Sequence, residues 1–184
     1  MVKIPGLLLL TILGCSAWLS AAMAASDSEQ ELLRYTQTHD MIAFDGIPML
    51  QVFDSGRVRV HLPAWKKNSG DYEYFLSAAE LKMLKERLEN PSVADFDKAA
   101  VERDLHAAEA TARARSGQLF AISDNTYTHM TVNTGINGPA RDIAWTNLQN
   151  DAQRHSELKD LVELADTERL LQQLLHHPKM KKLD

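Results

Sequence analysis

Past residue 24 the chain contains no cysteine; its single cysteine is Cys15. That absence excludes thiol catalysis, thiolate zinc sites and redox switching from residues 25–184. It also excludes the disulfides that an exported domain is free to use, so the core must hold unaided. A domain of this length can do so, because it buries about 70% of the surface its unfolded chain exposes. A usable N-x-S/T acceptor is missing as well, since Asn90-Pro91-Ser92 carries the disabling proline. There is no excess of basic charge. The formal net charge is −5, with 20 Lys and Arg against 25 Asp and Glu, which argues against a general nucleic-acid binder. No G-x-S-x-G elbow, Walker loop or dinucleotide fingerprint occurs. Ser156-Glu157-Leu158-Lys159 fits S-x-x-K, but K-T-G is absent, and Ser156 reads better as a helix N-cap. The Asp124-Asn125 turn lacks the glycine and terminal Glu of a calcium loop.

What is present first is an address. Lys3 forms a short basic start, Ile4 to Leu19 is apolar around Leu7-Leu8-Leu9-Leu10, and Ala22-Met23-Ala24 supplies small-x-small. That order is the signature of an export signal. Residues 1–24 are therefore read as a cleavable signal peptide and residues 25–184 as one domain, periplasmic or secreted. Ile12-Leu13-Gly14-Cys15 offers an alternative, because it looks like a lipobox; membrane association is expected only if Cys15 is lipidated. The lack of cysteine and of glycosylation acceptors favours a bacterial envelope protein.

Three segments alternate with period 2, the strand signal. Pro48 to Phe53 places Leu50 and Val52 on one face. Arg57 to Leu62 places Val58, Val60 and Leu62 against Arg57, Arg59 and His61, and Asp71 to Leu76 places Tyr72, Tyr74 and Leu76 against Asp71, Glu73 and Phe75. Asp54-Ser55-Gly56 closes the first turn, with Gly where φ is positive. Closing both hairpins sets Val52 opposite Val58, Leu50 opposite Val60, Val60 opposite Tyr72 and Val58 opposite Tyr74. The same register sets Arg59 opposite Glu73 and His61 opposite Asp71. The result is a three-stranded meander.

Ser77-Ala78-Ala79-Glu80 is a capping box with Leu76 and Leu81 placed as a hydrophobic staple. Leu81, Leu84 and Leu88 form the stripe of the helix that follows, and Asn90-Pro91 ends it. A second helix is expected from about Phe96 to Arg115, on the thin stripe Val101, Leu105, Ala108 and Ala112, with Gly117 as its stop. Gln118 to Ser123, Thr126 to Asn133 and Arg141 to Trp145 read as strands, with turns at Asp124-Asn125 and Asn137-Gly138. The C-terminal part reads as helical, with Leu158, Leu161, Val162 and Ala165 on one stripe. Leu170, Leu171, Leu174 and Leu175 form another after a break near Asp166, and Pro178 leaves the basic tail Lys179, Lys181 and Lys182. Residues 26–38 read as polar, with a short helix around Glu29 to Arg34. The fold expected is α+β: an antiparallel sheet of about five or six strands with helices packed on one face.

No motif fixes a reaction, and no cofactor, catalytic residue or metal site is assigned. The binding candidates are Arg57, Arg59 and His61 on one strand face, with Trp65, Lys66 and Lys67 in the next loop. Such a group suits an anionic ligand or a protein partner. Against the strand face stands cross-strand pairing with Asp71 and Glu73, and against Trp65 a lid-like packing over the meander. A second candidate is the polar face of Tyr127, His129, Thr131 and Asn133, which is equally an ordinary solvated sheet face. The histidines, His39, His61, His106, His129, His155, His176 and His177, show no metal-ligand spacing. The reading is an exported, non-enzymatic module that binds a protein or an anionic envelope component. The alternative is a hydrolase of an envelope polymer using His129 or His39 with nearby carboxylates.

Overall fold

A computed structural model describes residues 29–117, 124–133 and 139–183. The signal-peptide reading of residues 1–24, the strand expected over residues 118–123 and the Asn137-Gly138 turn lie outside the described residues.

The meander has the expected register. It consists of β2 (Leu50–Phe53), β3 (Arg57–Leu62) and β4 (Gly70–Phe75). Leu50 faces Val60 and Val52 faces Val58; Val58 then faces Tyr74 and Val60 faces Tyr72. On the opposite face Arg59 lies across from Glu73 and His61 across from Asp71. Gly56 holds φ 85° in the first turn, a left-handed conformation that a side chain disfavours.

The segment expected to be helical around Glu29 to Arg34 is instead the start of a strand, and that strand is central. Strand β1 (Glu31–His39) pairs with β2 on one side and β5 (Thr126–Val132) on the other. Two features disguise it. A register shift between Glu31 and Leu33 breaks the alternation, leaving Leu32 and Leu33 both buried. Beyond the bulge the inward positions run Leu33, Tyr35 and then polar Gln37, whose amide finds an acceptor in the core. Strand β6 (Arg141–Thr146) extends β5, and part of the basic tail forms β7 (Lys181–Lys182) on the outer edge of β4. The sheet is antiparallel throughout, with order β6-β5-β1-β2-β3-β4-β7. Among the described residues it has seven strands rather than five or six, because β1 and β7 join it; the α+β class stands.

The helices cover one face. Helix α1 (Ala78–Leu88) starts at the expected capping box, with Ser77 N–H donating to Glu80 Oε2 at 2.6 Å and Glu80 N–H to Ser77 Oγ at 3.3 Å. After the short α2 (Pro91–Ala94), helix α3 (Lys98–Ser116) is capped by Asp97 and stopped by Gly117 at φ 67°. These helices carry the chain from β4 to β5, past the meander and β1. Helix α4 (Leu148–Arg154), which no sequence signal announces, leads to α5 (Lys159–Leu174). Helix α5 runs unbroken through Asp166, contrary to the expected break. Its N-cap position is Leu158 rather than Ser156.

Helix α5 crosses the apolar face of the sheet. Its Glu168 accepts hydrogen bonds from Tyr35 of β1 and Thr128 of β5, and its Leu174 carbonyl accepts from Tyr74 of β4 at 2.8 Å. Leu161, Leu164 and Leu171 are fully buried beneath it, and each contributes about 1.5–3 kcal/mol. Among the described residues no helix is long and apolar enough to cross a membrane. The opposite sheet face carries the charged residues of the meander.

Candidate binding surface

Two connections emerge at the same end of the sheet: residues 40–49 between β1 and β2, and residues 63–69 between β3 and β4. Antiparallel pairing brings these four strand ends together. Both loops are pinned by polar contacts at their bases while their apolar side chains are left outside.

In the first loop, Asp40 accepts from the Tyr127 hydroxyl at 2.6 Å and from the backbone and side-chain nitrogens of Asn125 at 3.2 and 3.0 Å. The Tyr127 bond, aided by Asn125, holds the Asp40 carboxyl below its ordinary range. Midway, Asp45 accepts from the Ile47 amide at 3.0 Å and meets His61 Nε2 at 2.9 Å. The Ile47 amide and then His61 likewise hold the Asp45 carboxyl low. With its carboxylates hydrogen-bonded to Tyr127, Asn125, Ile47 and His61, the loop presents Met41, Phe44 and Ile47, which are 90%, 54% and 45% exposed.

In the second loop, Lys66 N–H donates to the Pro63 carbonyl at 2.8 Å, and the Tyr72 hydroxyl donates to the Asn68 carbonyl at 2.6 Å. Trp65 is 44% exposed. Its ring meets His39 edge-on with centroids 6.3 Å apart, and Lys66 Nζ lies 4.7 Å from its centroid. An exposed cation–π contact of this kind contributes about 0.5–1 kcal/mol. Phe44, Ile47, Pro63 and Trp65 share the rim of one cleft between the loops.

Charge divides these candidates into two groups. Arg57 is paired with Glu29, at 2.7 Å through Nε, and with Glu73 at 3.3 Å. Arg59 approaches Glu73 at 3.8 Å, and His61 sits between Asp71 at 2.7 Å and Asp45 at 2.9 Å. Partial burial opposes the charge on His61, but the two carboxylates outweigh it and the imidazole pKa is raised. The strand-face cations are thus engaged as the cross-strand register requires. Lys66 and Lys67 are in no ion pair among the described residues. Lys182 joins them from β7: a Cβ on Gly70 would stand 2.8 Å from its Cε, so its side chain lies across the foot of the second loop.

The polar face of β5 is more dispersed. Tyr127 is bonded to Asp40, Thr131 donates to Asp142 at 2.8 Å, and Asn133 donates to the Glu31 carbonyl at 3.0 Å. His129 is exposed and points away from the core beside buried Met130. His39 bonds Thr126 at 3.3 Å, and its neighbour Asp40 is turned to Tyr127. Neither His39 nor His129 has a carboxylate as hydrogen-bond partner among the described residues. No group of three His, Cys, Asp or Glu among those residues is arranged to hold a metal. The chain does spell S-D-N at Ser123-Asp124-Asn125, upstream of Ser156; Asn125 is committed to Asp40 and Asn147.

Sequence reasoning found the Trp65 loop but missed Met41, Phe44 and Ile47. They lie outside any periodic element, and the available signal was three large apolar residues in a short stretch holding Gly46 and Pro48. The fold and surface together define an open-sheet α+β protein with a pinned loop end that exposes apolar side chains and carries Lys66 and Lys67. No protein-family model, curated protein or solved structure matches the chain.

Proposed function

We propose that this chain is an exported, non-enzymatic module of the cell envelope, periplasmic or secreted, that binds a protein or an anionic envelope component through its loop end. The observation that carries the reading is the half-exposed Trp65 ring under Lys66, beside outward Phe44 and Ile47, on loops pinned by Asp40, Asp45 and Asn68. Large aromatic contacts on a pre-ordered frame lose little entropy on binding. Lys66 and Lys67, in no ion pair among the described residues, supply positive charge; Arg57, Arg59 and His61 extend the same side but share their charge with carboxylates.

The test is cross-linked capture of the tagged protein from an envelope fraction, with bound proteins, lipids and glycans identified by mass spectrometry. One stoichiometric component, lost in the Trp65→Ala/Lys66→Ala/Lys67→Ala variant, is the expected result. A component retained by that variant places the binding surface elsewhere, and no component above background removes the reading.

A further inference from the structure

We propose that the loop end docks on an anionic lipid surface, with Met41, Phe44, Ile47 and Trp65 entering the interfacial layer and Lys66, Lys67 and Lys182 facing the head groups. The inference rests on the binding-module reading and names its ligand.

The apolar loop residues favour a bilayer over a ligand held between the loops. The cleft between the two loops measures only about 20 Å³, space for roughly one water. A sugar ring or an anchoring side chain does not fit there. The neighbouring cleft of about 590 Å³ is broad, open and lined mainly by charged and polar residues. The apolar groups are instead exposed along the loops, Met41 most of all. Five of the seven large hydrophobic residues exposed among the described residues, Met41, Phe44, Ile47, Trp65 and Leu183, belong to this end. Leu183 is placed there by β7, sharing a second cleft with Ile47.

The chemistry is graded in the way a membrane interface requires. Apolar side chains are exposed on the loops, a tryptophan shares a cleft with Phe44 and Ile47, and Lys66 lies against its ring; tryptophan concentrates at the boundary between acyl chains and head groups. Lysines near an anionic surface add attraction that apolar burial alone does not provide. The charge is placed selectively. The arginines of the neighbouring strand face are paired with Glu29 and Glu73, while Lys66, Lys67 and Lys182 are in no ion pair among the described residues. In a chain with net charge −5, the loop end sets these lysines beside Asp40, Asp45 and Asp71, whose carboxylates are engaged by Tyr127 and His61.

The test uses the full chain with Cys15→Ser and Met41→Cys, labelled at position 41 with an environment-sensitive fluorophore. A second preparation carries the label at Met83→Cys, an exposed position on α1. Vesicles of phosphatidylcholine alone are compared with vesicles containing an equal part of phosphatidylglycerol. The expected result is a blue shift at position 41 with the mixed vesicles and none at position 83. Partitioning should fall at least about tenfold with neutral vesicles or with Lys66→Glu/Lys67→Glu. A label at position 41 that stays in water overturns the proposal, even if residues 1–24 carry the chain to the vesicle. Equal shifts at both positions overturn it too, because they report non-specific adsorption. If position 41 responds only to a protein captured from the envelope, the lipid is excluded and the binding-module reading survives.

Discussion

Tyr35 and Glu168 are 133 residues apart in the chain and share a hydrogen bond of 3.2 Å in the core. Both are buried. Glu168 also accepts from Thr128, from Gln37 at 3.3 Å and from Gln149 at 2.8 Å, so four donors converge on one acceptor-only group. Burial, and then the Glu168 charge, push the Tyr35 phenol well above its ordinary value. The network ties α5 to β1 and β5 and to the start of α4.

Replacing Glu168 leaves those donors without an acceptor. Glu168→Leu should destabilise the protein by about 2–4 kcal/mol. Glu168→Gln should also destabilise it, because its amide turns a donor toward donors. Urea unfolding followed by circular dichroism measures both, and a change under about 0.5 kcal/mol in either would show that the network is dispensable.

His61 links loop order to pH. Its folded pKa lies above the ordinary value of about 6.5. The stability it contributes is therefore fully present below about pH 6.5 and lost as pH rises through the folded pKa. Denaturation of the wild type and of His61→Gln across that window should show the pH-dependent difference shrinking upward. NMR titration of the His61 ring should give its raised midpoint directly. Asp45 loses its charged partner on the same titration, so exchange of the Ile47 amide should quicken at high pH.

The capping box of α1 predicts an acid-side effect. The Ser77 hydroxyl and backbone amide, with His177, hold the Glu80 carboxyl down to about 2. Its stabilising contribution is present above the unfolded carboxylate pKa and disappears as pH falls toward 2. Ser77→Ala removes the cap and should cost about 1 kcal/mol at neutral pH, read by thermal unfolding. Ser77→Thr should retain most of that stability.

The loop residues should be separable from folding. The Trp65→Ala/Lys66→Ala/Lys67→Ala variant should retain stability to within about 1 kcal/mol, since it removes one exposed cation–π contact, one edge-on contact with His39 and no core side chain. Equilibrium denaturation checks this. A larger loss would mean that Trp65 is part of the sheet's support.

The parts of the fold that were legible and illegible in the sequence have a common physical explanation. The meander could be read because Val52, Val58, Val60 and Tyr74 alternate with charged residues whose partners lie directly across the ladder. Strand β1 and the continuity of α5 could not, because both put polar groups into the core. Gln37 and Glu168 look like surface residues until each supplies the other's hydrogen bond. A bulge at the start of β1 removed the remaining alternation. Helix α4 begins at Asn147 in the left-handed conformation with no side-chain cap, so it lacked a start signal. At the loop end, Trp65 with its lysines was visible as chemistry. The grouping with Phe44 and Ile47 depends on β1 lying beside β2, a contact that the sequence pattern did not reveal.

The position of β1 also decides where the molecule can be handled. Its nine residues run the length of the sheet, about 30 Å at the rise of an extended chain, and finish at the Trp65 end. Whatever is joined ahead of Glu31 therefore enters at the far pole, a full strand away from the loops. The last described residues return to the near pole, where Leu183 N–H donates to the Asp71 carbonyl at 2.8 Å. A reporter or support joined directly ahead of Glu29 is anchored at the far pole, whereas one joined directly after Leu183 is anchored beside the loops.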